Sequence, residues 1–145
     1  DDPETLYRRP KTRQVAEFIG VMNFVPAQVL AEANGRIEVE VQGLGRCEIA
    51  ADQAPGARDS GETSIGFRPE TLTILYEGQA ASDREAQGTI SEVVYFGDMT
   101  YYDVKLDGVE EPVRLSMRNV PGRRVLDIGE RARIAWSPGA LVLFR

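Results

Sequence analysis

The chain has 145 residues, with 17 Lys and Arg against 23 Asp and Glu, one cysteine and no histidine. At that length a chain buries roughly 68–70% of its unfolded surface, enough for one domain or two small β units without a disulfide or metal staple. The net charge of −6 weighs against a nucleic-acid partner, which needs a basic face, and a single Cys without His rules out an intrachain disulfide, a zinc site and a Ser-His or Cys-His nucleophile.

Local basic clusters at Arg8, Arg9, Lys11 and Arg13, and at Arg114, Arg118, Arg123 and Arg124, read as solvated faces against that global charge. No apolar run approaches the roughly 18 residues of a membrane-spanning helix. Asp1-Asp2-Pro3-Glu4 does not read as a signal peptide, having neither a basic nor an apolar region. The lone Cys47 fits a reducing cytoplasm.

In chain order, Asp2-Pro3 reads as an N-cap with proline at the first helical position, opening a short helix through Leu6 and Tyr7. A second helical stretch runs from about Pro10 to Ile19, with Val15, Phe18 and Ile19 at helical spacing and Gly20 as its stop. That narrow apolar stripe needs a surface to pack on, and nothing before it supplies one.

From Asn23 the period changes to two. Asn34-Gly35 signals a type I′ hairpin between a strand near 27–33 and the alternation Ile37, Val39, Val41 against Arg36, Glu38, Glu40. Gly43-Leu44-Gly45 turns the chain into a strand that buries Cys47 and Ile49, and 52–61 reads as a surface loop. Ile65 and Phe67 lead into Arg68-Pro69-Glu70, after which Leu72, Ile74 and Tyr76 alternate. The polar stretch 77–87 reads as a long loop or as a divider between two β units. Further strands are expected at 88–96, 100–106, 112–117, 131–136 and 141–144, and Thr100, Tyr102, Val104 and Leu106 share one face. About ten short strands with regular turn signals point to mainly β structure, closed or nearly closed and antiparallel.

Chemistry-bearing motifs are sparse. The carboxylates sit on alternating solvent faces, no Asp-rich loop has EF-hand spacing, and Gly43-Leu44-Gly45-Arg46 lacks the Lys-Ser/Thr and helix of a phosphate loop. Three features stand out. Gly66-Phe67-Arg68-Pro69-Glu70 puts a proline at a strand edge, either a structural break or a contact with another subunit. Tyr95-Phe96-Gly97-Asp98-Met99-Thr100-Tyr101-Tyr102 packs aromatics around a turn, as hairpin core and rim or as an interface or cation–π surface. Trp136 reads as core at a strand end.

Taken together, these segments resemble the C-terminal portion of ATP-binding subunits of ABC importers, especially the spermidine/putrescine branch, whose extra region is the TOBE (transport-associated OB) domain. Tyr7-Arg8-Arg9-Pro10, Val15-Ala16-Glu17-Phe18-Ile19-Gly20 and Asn23-Phe24 match the junction with the ATPase domain. Phe67-Arg68-Pro69-Glu70, Gly88-Thr89-Ile90, Tyr95-Phe96-Gly97, Tyr101 and Ile134-Ala135-Trp136-Ser137-Pro138 match the later part. The resemblance implies OB-like or MOP-like antiparallel β-barrels with a short helical N-terminal segment. It implies 1–20 as the tail of an ATPase domain and 21–145 as the TOBE domain, with two β sub-units divided near 77–87.

The implied role is regulatory and dimerising rather than catalytic. Walker and signature motifs are absent, so ATP and Mg²⁺ would belong to an N-terminal part of the parent, and no cofactor is expected in this chain. The implied partners are a second ATPase subunit in a homodimer and transmembrane permease subunits, at the cytoplasmic face of the cell membrane. Such a two-fold interface needs a self-complementary patch, for which Arg68, Glu70, Tyr95, Asp98 and Tyr101 are the candidates. Alternatives are an importer for iron, sugar or sulfate, a small-molecule or oxyanion-binding β module like the molybdate-binding proteins, and an OB-type nucleic-acid binder.

Overall fold

The computed structural model describes residues 21–56 and 63–145; the two expected N-terminal helices and the second half of the 52–61 loop lie outside them. Ten strands, all paired antiparallel, build the described residues into two five-stranded sheets, so the mainly β reading holds. The chain divides into two compact units, one made of residues up to Arg68 together with Pro138–Arg145, the other of Pro69–Ser137. The polar stretch 77–87 falls inside the second unit.

The first unit contains β1 (Asn23–Ala33), β2 (Arg36–Val41), β3 (Gly45–Ala50), β4 (Ser64–Phe67) and, far along the chain, β10 (Val142–Phe144), in the order β10-β4-β1-β2-β3. The β1–β2 loop is the expected two-residue turn: Asn34 and Gly35 both have positive φ, 56° and 76°, which matches type I′ and the twist of the flanking strands. β1 starts earlier than its pattern suggests because Pro26 lies where its partner changes. Residues 23–26 pair with β4 and residues 27–33 with β2, with a bulge between Val29 and Ala31. Alternation on β2 and β3 buries Ile37, Val39, Val41, Cys47 and Ile49, and these meet Val25, Ile65, Phe67 and Leu143 as core residues.

Among the buried polar side chains of this unit, Gln53 joins two segments far apart in the chain. Gln53, in the 3-10 turn Ala51–Gln53 after β3, is 6% exposed. Its Oε1 accepts from Ala50 N–H (2.9 Å), while Nε2 donates to Pro138 O (2.7 Å) and Leu141 O (2.9 Å). One side chain thus fastens the end of β3 to the segment entering β10, the two edge strands of the sheet.

The second unit contains β5 (Thr73–Leu75), β6 (Arg84–Phe96), β7 (Met99–Leu106), β8 (Val113–Arg118) and β9 (Arg131–Trp136), in the order β5-β9-β6-β7-β8. Thr100, Tyr102, Val104 and Leu106 are each 1% exposed or less, as their shared face predicts. Trp136 is buried as well. The Tyr102 hydroxyl accepts from Leu126 N–H at 3.2 Å, so its polar tip is satisfied inside the core. At Gly88 the β6 backbone comes so close to β7 that a Cβ would sit 2.6 Å from Lys105 O and 2.8 Å from Val104. Arg131 braces the sheet through a bidentate pair with Asp107 (2.8 and 2.7 Å) and a bond to Thr89.

Candidate functional site

Thirteen-residue β6 changes neighbours along its length. Its first part, Arg84–Thr89, pairs with β9, β7 joins on the other side from Gly88 onward, and beyond Ile90 only β7 remains beside it. The ladder to β9 ends where Ile90 exchanges backbone bonds with Gly129 N–H and Glu130 O. A bulge between Ile90 and Glu92 then carries the strand outward. The run Ser91-Glu92-Val93-Val94-Tyr95-Phe96 is therefore a strand edge, and Val94, Tyr95 and Phe96 are 53%, 63% and 73% exposed. Alternation fails here because neither face is fully covered.

Register places the side chains of this hairpin in rows. On one face Glu92, Asp103 and Arg114 share a row, Val94, Tyr101 and Ser116 the next, and Phe96, Met99 and Arg118 the third. The first two rows line a concavity of about 270 Å³ formed by Glu92, Val94, Tyr101, Asp103 and Arg114. Arg114 Nε donates to Asp103 at 3.0 Å, and that bond holds the guanidinium above its ordinary pKa.

The turn at the tip is held from β8. Asn119 N–H donates to Asp98 O (2.7 Å), its Nδ2 donates to Gly97 O (3.0 Å), and its Oδ1 accepts from buried Thr100 Oγ1 (2.5 Å). Arg118 adds an exposed pair to Asp98 at 3.3 Å, of the kind worth at most about 1 kcal/mol. The Asn119 bonds, not the ion pair, keep the exposed tip in one shape.

Three of the sequence candidates, Tyr95, Asp98 and Tyr101, meet on this hairpin. Tyr101 is about one-third exposed in the central row, Asp98 sits in the turn, and Tyr95 faces the other side of the ribbon. Arg68 stands apart. It closes the first unit, is 4% exposed, and donates from Nη1 to Val21 O at 3.1 Å. Glu70 is exposed in the 3-10 turn Pro69–Thr71 at the start of the second unit. Glu92, Val94 and Asn119 were not singled out by sequence. The available signal was a run of β-branched and aromatic residues that is apolar on both faces.

The model of the TOBE domain family matches residues 65–144. Among curated proteins, the spermidine/putrescine import ATP-binding protein PotA 2 of Pseudomonas aeruginosa is 33% identical over 138 residues, covering 94% of this chain and 38% of its own length. The spermidine/putrescine import ATP-binding protein PotA of Chromobacterium violaceum is 30% identical over 139 residues. The putrescine transport ATP-binding protein PotG of Escherichia coli is 24% identical over 144 residues, again 38% of its length. The chain thus spans well under half of the relatives it matches. Among solved structures, the molybdate-bound form of the cytoplasmic molybdate-binding protein ModG superposes with a TM-score of 0.61 at 16% identity, over 83% of this chain and 94% of that one. At that identity the likeness speaks for the fold alone, an OB-like β architecture.

Proposed function

The chain belongs to the TOBE domain family, and from that premise we propose that it is the C-terminal regulatory and dimerising domain of the ATP-binding subunit of an ABC importer for polyamines. The observation that carries this reading is an alignment over nearly the whole chain with spermidine/putrescine import ATP-binding proteins, each of which is more than twice as long. In this reading ATP and Mg²⁺ are handled by the remainder of the polypeptide. This sequence contains no Gly-x-x-x-x-Gly-Lys-Ser/Thr segment, and no step of hydrolysis is assigned to its residues. The partners in this reading are a second ATP-binding subunit and the permease subunits, reached from the cytoplasmic face of the membrane.

The test starts with the reading frame upstream of Asp1, which is expected to run without a stop into that phosphate-loop motif. Deleting the gene should abolish uptake of labelled spermidine and putrescine, and the intact gene should restore it. A start codon immediately before Asp1 would remove the motor from the proposal. Unchanged polyamine uptake with lost sulfate, iron or sugar uptake would change the substrate.

A further inference from the structure

We propose that two copies of this chain pair through the outer edge of β6, antiparallel, about a two-fold axis passing through Val94. This deepens the homodimer reading and rests on it, because it names the surface through which the two copies meet.

An exposed strand edge is a row of unpaired N–H and C=O groups that templates another strand, and proteins normally blunt it with lysine, proline, a covering loop or short length. Residues 91–96 carry one charge, Glu92, beside the bulge at the inner end of the stretch, and from Val93 to Phe96 they use none of these devices. Residues 91–96 contain no lysine, proline or glycine, their free side bears no backbone hydrogen bond among the described residues, and from Val93 to Phe96 their side chains are β-branched and aromatic. The tip is already rigid through Asn119, so pairing would order little that is not ordered already.

The occupant follows from symmetry and charge. Two copies of one edge can satisfy each other fully only by an isologous two-fold contact, which is antiparallel. Backbone groups of successive residues point alternately toward and away from a neighbouring strand. Two identical strands therefore match only when a residue itself lies on the axis. Glu92 is the single ionisable side chain between positions 91 and 94, and an axis through it would stack two carboxylates. Because Ile90 is engaged by Gly129 and Glu130, the free stretch 92–96 is used in full only with Val94 on the axis. That register sets Glu92 opposite Phe96 of the other copy and Val93 opposite Tyr95. The second is an aromatic–β-branched pair of the favourable cross-strand kind, and symmetry makes it twice.

The experiment uses the 145-residue chain. Directly opposed residues have Cα atoms about 4.5–5.5 Å apart, inside the range a disulfide spans. Val94→Cys should give a covalent dimer under mild oxidation. Ser91→Cys, whose two copies would lie on the order of 20 Å apart, should not; Cys47 is buried and does not compete. By sedimentation velocity, Val94→Lys should weaken self-association by about tenfold or more while leaving unchanged the thermal midpoint measured at dilutions where both chains are monomeric, as expected for a half-exposed position. A wild-type chain that stays monomeric at millimolar concentration overturns the proposal. A dimer that Val94→Lys leaves intact and Val94→Cys does not cross-link overturns the strand pairing while the homodimer itself survives.

Discussion

Replacing Gln53 by leucine removes three hydrogen bonds while nearly preserving side-chain volume. The amide currently spends its acceptor on Ala50 and both donors on Pro138 and Leu141, so the variant strands one N–H and two carbonyls. The Leu141 contact is fully buried and the other two are partly buried. A buried unsatisfied group costs about 1–3 kcal/mol and partly hydrated ones less, which places the total at about 2–4 kcal/mol after some recovery from leucine's apolar burial. For a unit of this size that is a fall in thermal midpoint on the order of 10 °C. Far-UV circular dichroism follows both sheets, whereas fluorescence of Trp136 follows the second unit, so the two signals together locate the loss. Gln53→Glu is the sharper variant. It keeps the acceptor for Ala50 but aims a carboxylate at two carbonyl oxygens, so its deficit should exceed that of leucine at pH 7 and shrink as the carboxyl is protonated. A shift of less than about 0.5 kcal/mol in both variants would refute the view that Gln53 closes the sheet.

Two further outcomes follow from the second unit. Gly88→Ala should cost about 2 kcal/mol or more in urea denaturation, because the added Cβ meets the Lys105 carbonyl, a backbone atom that cannot rotate away. Glu85, Asp107 and Glu130 each have a carboxyl pKa lowered chiefly by a hydrogen bond from Arg133, Arg131 and Arg124 respectively. A depressed folded-state pKa gives stability that is complete above the unfolded value and is lost as pH falls through the folded one. The thermal midpoint should therefore stay level from pH 7 to about 5 and drop below about 4. Asp107→Asn should flatten part of that drop.

Much of the fold was legible because local chemistry and tertiary role agree. Asn34-Gly35 demanded a two-residue turn, and strict alternation in 36–41 and 100–106 left one arrangement of faces. Legibility failed where a residue serves a distant partner. Arg84, Glu85 and Gln87 look like loop, yet they begin β6 because β9 lies beside them: Arg133 reaches Glu85 at 2.9 Å. Gln53 sits in a polar loop, and nothing local announces a carbonyl more than eighty residues away. At the candidate site, aromatic density drew attention to Tyr95 and Tyr101. That the β9 ladder stops at Thr89, leaving 91–96 as an edge, is a property of pairing and has no local signature. Arg68 carries the same lesson in reverse, a charged residue in a motif-like segment that the structure buries against its own backbone.

The discontinuity of the first unit bears on the order in which the molecule can be finished during translation. Its edge strand β10 pairs with β4 across residues 68–141, a stretch that contains the whole second unit. A nascent chain therefore holds every strand of the second sheet before the first can be completed, although most of the first is synthesised earlier. In that interval β4 has a bare edge, and Met22 and Phe24 lack the Val142 and Phe144 side chains they pack against. Ribosomal pausing before Val142 is made would leave the first sheet with four of its five strands and an uncovered apolar edge at β4.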